Sequence, residues 1–201
     1  MGRPIAPETP KNISGTENSG DYWEEENPVV QLAHKRTIML AGDITEGSVA
    51  ITIAHILNLS NESNKPIKLI INTEGGSVDE MLALYDIIQF VPTPIHTVGL
   101  GKIMSCGLFL LASGEKGQRK IGKNARGMYH MIYGDIHGNV LDYEREGNET
   151  KRMQQQVNSI LSKHSKLTEK ELDEMMKKNE DIYLTSEKLI KVGVADEFLG
   201  S

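Results

Sequence analysis

Ile67-Lys68-Leu69-Ile70-Ile71-Asn72-Thr73-Glu74-Gly75-Gly76-Ser77-Val78-Asp79-Glu80 is the stretch from which the fold can be read. Apolar residues fill nearly every position from Ile67 to Ile71, the pattern of a strand covered on both faces, as in a parallel sheet. Two glycines follow at the strand end, where chain reversal or close backbone approach needs freedom from a side chain. Ser77 with Glu80 three residues on is a capping-box pattern, in which two side chains satisfy free amides at a helix start. The helix it opens would carry Val78, Met81, Leu82, Tyr85 and Ile88 on one face.

The same alternation extends outward in both directions. Upstream, Thr37–Leu40 reads as a short strand ending before Ala41-Gly42-Asp43, and Ser48–Leu59 has helical spacing through Val49, Ile53, Ile56 and Leu57. Downstream, Ile95–Val98 reads as a strand, Ser105–Ala112 as a buried helix, and Met128–Tyr133 as a further strand. The C-terminal third is helical, with Met153, Val157, Ile160 and Leu161 on one face and a second capping box at Thr168-Glu169-Lys170-Glu171. Ser186–Lys191 is a short helix closing near Gly193, and Val194–Leu199 a last strand. Strand–helix alternation of this kind implies an α/β fold with a mainly parallel sheet.

The chain has 201 residues, enough for one domain with a full core and short for two. The expected division is an acidic N-terminal arm over residues 1–27 and a single domain over residues 28–201. The arm is rich in Pro, Gly, Ser, Asn and Glu, a composition too poor in apolar residues to build a core. Within it, only Tyr22 and Trp23 form an aromatic pair. Net charge is −6; residues 1–30 carry −4 of it, so the body is nearly neutral. No strong basic run marks a nucleic-acid partner. The longest purely apolar stretch, Leu108–Ala112, is far too short to span a bilayer. Met1–Tyr22 lacks the apolar centre of a signal peptide, so a cytoplasmic location without membrane contact is expected. One cysteine, Cys106, excludes an internal disulfide and a multi-Cys zinc site.

Two glycine-rich strand ends are the candidate chemistry. At Asn72–Ser77, free amides beside a helix start suit a negatively charged oxygen, and a plain tight turn explains the same residues. At Gly99–Gly107, Ser105 stands where a helix begins, either as a nucleophile with the Cys106 amide facing the attacked carbonyl or as an ordinary N-cap. Ile103 occupies the first glycine position of the Gly-x-Ser-x-Gly elbow, so that motif is absent. Neither cluster ends in Gly-Lys-Ser/Thr, which excludes a phosphate loop. A serine nucleophile needs a base, and His130 lies within the apolar run Met128–Ile132 as either a hydrogen-bonded core histidine or that base. Asp181 precedes Ile182-Tyr183-Leu184 and is either an orienting acid or a surface acid. No metal-binding pattern is evident and no cofactor is expected.

Read together, these segments resemble the ClpP family, the proteolytic subunits of the Clp protease. The resemblance is carried by Ile71–Val78, Tyr85–Phe90, Met104–Gly114, Asn124–His130, Tyr183–Glu187 and Gly193–Asp196, in order over about residues 30–200. It implies a crotonase-like α/β fold with parallel sheets, flanking helices and a protruding helical handle near Asp142–Lys163. It also implies a serine endopeptidase with Ser105 as nucleophile, His130 as general base and Asp181 as orienting acid. Gly76 and Cys106 fall on the oxyanion-hole amides. Gly75, Ser77, Val78 and Met131 fall where an extended substrate pairs. Stacked heptameric rings, a chamber for unfolded proteins and an AAA+ unfoldase are the partners implied, with the Met153/Val157/Ile160 face as a contact between rings.

The chain departs from the family pattern at several places. Glu74 replaces the usual proline, and Cys106 the usual methionine. Asn179-Glu180 stands where an Asp-Arg pair couples assembly to activity. Lys68 and Ile70 replace aromatic residues of the unfoldase-docking pocket, which keeps Phe90. These changes suggest a divergent, phage-type member. Two alternatives stand beside the chambered peptidase: a stand-alone capsid-maturation-type protease, and a non-catalytic ring or scaffold subunit.

Overall fold

The computed structural model describes residues 28–201; the expected arm of residues 1–27, with Tyr22 and Trp23, lies outside the described residues. The chain runs α1 (Pro28–His34), β1 (Thr37–Ala41), α2 (Glu46–Glu62), β2 (Ile67–Thr73), α3 (Val78–Phe90), β3 (Ile95–Met104) and α4 (Cys106–Ala112). It continues with β4 (Lys120–Ile121), β5 (Arg126–Tyr129), α5 (Val140–His164), α6 (Glu169–Met176), β6 (Ile182–Thr185), α7 (Ser186–Lys191) and β7 (Glu197–Phe198).

Among the described residues the strands form one sheet in the order β1-β2-β3-β4-β7, with every neighbouring pair parallel. Near its C-terminal end β3 changes partner. Val98 and Gly99 pair with β4, while Lys102–Met104 pair in parallel with β5. β6 then adds to β5 antiparallel and touches no other strand. The mixed α/β architecture, mostly parallel and flanked by helices, is the one the strand–helix alternation implied.

Strand β2 is covered on one face only: Ile67, Leu69, Ile71 and Thr73 are buried, while Lys68 is exposed and Ile70 and Asn72 are half-buried, which corrects the expectation of a strand covered on both faces. On α3 the buried residues are Met81, Leu84, Tyr85 and Ile88, with Val78 and Leu82 at the margin. Only half of its expected capping box forms. The Glu80 amide donates to Ser77 Oγ, but the Ser77 amide donates to Ile44 O at 2.9 Å rather than to the Glu80 carboxylate. The box at Thr168 forms in full: the Glu171 amide donates to Thr168 Oγ1 and the Thr168 amide to Glu171 Oε2.

Several readings differ from the sequence expectation, and β3, expected to end at Val98, runs on to Met104 through the glycine-rich stretch. The strand expected over Met128–Tyr133 ends at Tyr129, because its partners run out: β3 stops pairing at Met128, and β6 begins at Ile182 opposite Tyr129. His130 therefore lies just past the strand, in irregular chain. The last strand shrinks to Glu197–Phe198, paired only to the two-residue β4. On α5 the buried residues are Val157, Asn158 and Leu161, all in its second half. Val157 thus packs within the chain, which corrects its expected place in a contact between rings. The first turns of α5 expose Val140, Leu141 and Tyr143 instead.

A buried ion pair closes the C-terminal end. Arg119 is 3% exposed and grips Asp196 through both Nε (2.9 Å) and Nη2 (2.6 Å). Its Nη1 donates to the carbonyls of Ala112 and His164. The amides of Gly117 and Arg119 also donate to Asp196 Oδ2, at 2.7 and 3.0 Å.

Candidate active site

Ser105 is not an ordinary N-cap. Its side chain makes no capping hydrogen bond, and its backbone sits at φ 51°, ψ −122°, a region that non-glycine residues avoid. Such strain persists only where the surroundings enforce it. The Ser105 amide is pinned to Met128 O of β5 at 2.8 Å, and α4 begins at the next residue with every position buried. The sharp junction between β3 and α4 thus presents the half-buried Ser105 hydroxyl at the sheet's C-terminal edge.

The two glycine-rich strand ends meet there. Ile44 forms a parallel bridge with Gly76, its amide donating to Gly75 O at 2.8 Å. A side chain on Gly76 would place Cβ 2.2 Å from Ile44 O, and Gly76 has φ 149°. Gly75, at φ 114°, lies so close to the other strand end that an added Cβ would stand 2.7 Å from Ser105 Cβ. Glycine is required at both positions by this close approach. Crossing bonds hold the ends together: the Lys102 amide donates to Asn72 Oδ1 at 3.1 Å, and Lys102 Nζ to Glu74 at 2.8 Å. The Lys102 ammonium holds the exposed Glu74 carboxyl below its usual range. The Cys106 thiol, buried and pushed up in pKa by that burial, donates to Gly76 O at 3.3 Å. Neither the Gly76 nor the Cys106 amide is spent on a carbonyl outside its own element.

His130 and Asp181 arrive from the β5–β6 pair. Tyr129 stands opposite Ile182, so continuing the antiparallel register by one step sets His130 opposite Asp181. Ser105, His130 and Asp181 line one cavity of about 800 Å³, together with Gly76, Val78, Cys106 and Met131. Of the expected substrate-contacting positions, Gly75 and Ser77 lie beside this cavity rather than on its lining. Among the described residues no hydrogen bond joins Ser105 to His130 or His130 to Asp181. The His130 ring rests against Tyr133, centroids 5.2 Å apart. Sequence reasoning assigned no site role to the apolar wall, where Met81, Met104, Phe109, Met128 and Val157 come together. Met81 and Val157 gave only a helix-face signal, and Met104 and Met128 gave none beyond lying one residue before Ser105 and two before His130.

A family model for Clp protease matches residues 20–201. The chain belongs to the Clp protease family. Among the relatives of this Clp-family chain is the "ATP-dependent Clp protease proteolytic subunit" of Borreliella afzelii, 33% identical over 184 residues, covering 91% of this chain and 92% of that protein. The "ATP-dependent Clp protease proteolytic subunit 1" of Borreliella burgdorferi is likewise 33% identical, covering 91% of this chain and 94% of its own. So is the proteolytic subunit of Borrelia garinii subsp. bavariensis, with the same coverage. Clp-family membership makes the chain a peptidase by descent. Among the described residues no helix is long and apolar enough to cross a membrane.

Proposed function

We propose that this chain is a serine endopeptidase that cleaves extended, unfolded polypeptide. The observation that carries the reading is Ser105: strained, uncapped, and facing one cavity with His130 and Asp181. Ser105 Oγ attacks the scissile carbonyl as His130 takes its proton, and Asp181 orients the imidazole that carries the charge. The Gly76 and Cys106 amides, one from each glycine-rich strand end, hold the tetrahedral oxyanion. His130 then protonates the leaving amine, and water attacks the acyl-enzyme to restore Ser105. Closing the relay requires His130 to swing from Tyr133 toward Ser105, a tightening that substrate or assembly supplies.

The apolar wall of the cavity suits an apolar side chain beside the scissile bond, and an extended peptide pairs with Gly76–Val78 and with the chain after His130. Exposed Val140, Leu141 and Tyr143, all in the first turns of α5, give that helix start an apolar character suited to self-association. Stacked rings around a closed chamber, fed by an AAA+ unfoldase docking near the exposed Phe90, complete the reading.

The test is covalent labelling. The full chain, with its particle mass measured, is treated with a fluorophosphonate, and the adduct is located by peptide mass spectrometry. The expected result is a single adduct on Ser105. An assembled, folded chain that takes no adduct would favour the scaffold reading. In the same assay Gly75→Ala should slow labelling about 10- to 100-fold, because the new methyl displaces Ser105 by a fraction of an ångström. Labelling at an unchanged rate would mean that the close approach of the two strand ends does not set the position of Ser105.

A further inference from the structure

Among the described residues no hydrogen bond holds the His130 ring, yet the residues on both sides of it are tied to one point. Tyr129, buried at 3% exposure, donates its hydroxyl to Asn158 Oδ1 at 2.7 Å. Two residues beyond His130, the Ile132 amide donates to Gln154 Oε1 at 2.7 Å. Gln154 Nε2 in turn donates to the same Asn158 Oδ1 at 3.0 Å. Asn158 is itself 1% exposed, and its Nδ2 donates to Asp173 Oδ1 on α6 at 2.9 Å. All its polar atoms are thereby engaged.

Buried polar groups cost free energy unless paired, and a fully paired network fixes one geometry in a core that apolar contacts alone leave looser. This network does not link core elements at random. It starts on α6, crosses α5 one turn apart at Asn158 and Gln154, and ends on the Tyr129 side chain before His130 and the Ile132 backbone after it. Beyond Tyr129 the chain has left the sheet, so no ladder bond fixes Ile132. Gln154 supplies the bond that a strand partner would otherwise give.

We infer that Gln154, anchored by Asn158, is a positioning residue that sets His130 for proton transfer by clamping the chain on either side of it. The inference rests on the reading of His130 as general base. Asn158 holds the near side through Tyr129, and Gln154 holds the far side through Ile132. Because both clamps share one oxygen of Asn158, loosening one relaxes the other.

The test compares Gln154→Ala, Tyr129→Phe and the double variant in the assembled full chain, using an unstructured fluorogenic peptide. Gln154→Ala is expected to lower kcat about 10- to 100-fold with KM changed less than about threefold. Tyr129→Phe, which removes only the hydroxyl, is expected to lower kcat about 3- to 10-fold, and the double variant to be no worse than Gln154→Ala alone. In parallel, NMR of the His130 imidazole, which now rests on Tyr133, should show its resonance shifted and broadened in Gln154→Ala. That reading decides the inference even if the wild-type chain cleaves nothing. An unmoved His130 resonance would overturn it. So would a fall in melting temperature with kcat unchanged, the mark of a purely structural bond, or a rise in KM alone, the mark of a substrate contact by a residue that also lines the cavity.

Discussion

Ser105→Ala is expected to abolish peptide cleavage and fluorophosphonate labelling together, with a melting temperature unchanged from wild type. Removing the attacking oxygen of a serine peptidase costs on the order of 10⁴- to 10⁶-fold in kcat, about 5–8 kcal/mol of transition-state stabilisation. The alanine keeps the same Cβ in the same strained backbone, so folding should not register the change. Ser105→Gly separates the two roles of this position. Glycine accepts φ 51° without strain, so that variant should be equally inactive and melt a few degrees higher. The elevation would show that the fold holds the serine in place against its own preference. Cleavage surviving in Ser105→Ala would refute the proposed nucleophile.

The second large effect lies at the opposite end of the sheet. Asp196→Ala is expected to destabilise the folded chain by about 3–5 kcal/mol, because Arg119 would stay buried with no anion. For a chain of this size that is a drop of roughly 10 °C in melting temperature, measured at fixed protein concentration. Burial alone would raise the Asp196 pKa, but the hydrogen bonds and charge of Arg119 and the Gly117 amide outweigh it and hold the carboxyl below its ordinary range. A carboxyl depressed in the folded state contributes stability at pH above its unfolded value and loses it as pH falls through its folded value. The gap between wild type and Asp196→Ala should therefore be full above about pH 5 and narrow below about pH 4. A gap that stays constant into acid would show that the lost amide contacts, and not the charge, carry the effect.

Local patterns gave up the fold readily. Ile67–Ile71 could be read as a strand because its five residues are consecutive, though only alternate ones are buried, and Thr168 as a cap because its partner is three residues away. The site was legible as residue types at strand ends, but its decisive features depend on partners distant in sequence. Nothing near Ser105 announces a positive φ, since the glycine that makes room for it is Gly75, two residues past the end of another strand. His130 looked like part of a strand because the apolar run continues to Ile132, but a strand lasts only as long as its partners do. Asp196 and Arg119 are 77 residues apart, and Asn158, a polar residue beside the apolar face of its helix, gave no signal of burial. Each becomes visible only when folding brings its partner to it. The short helix α1 was missed for a different reason: Pro28–His34 spans only two turns, so the spacing of Val29, Leu32 and Ala33 is too brief to mark a helix, and none of its residues is buried.

The order of strands has a consequence for when the chain becomes competent. β6, which leads in from Asp181, hangs on β5 alone and is the last strand to join that edge. On the proposed reading, a ribosome-bound chain could finish the Ser105 junction and the His130 segment while Asp181 is still inside the exit tunnel. Synthesis itself would then act as a delay, leaving the nascent peptidase harmless to its neighbours until the chain has emerged past Asp181 and β6.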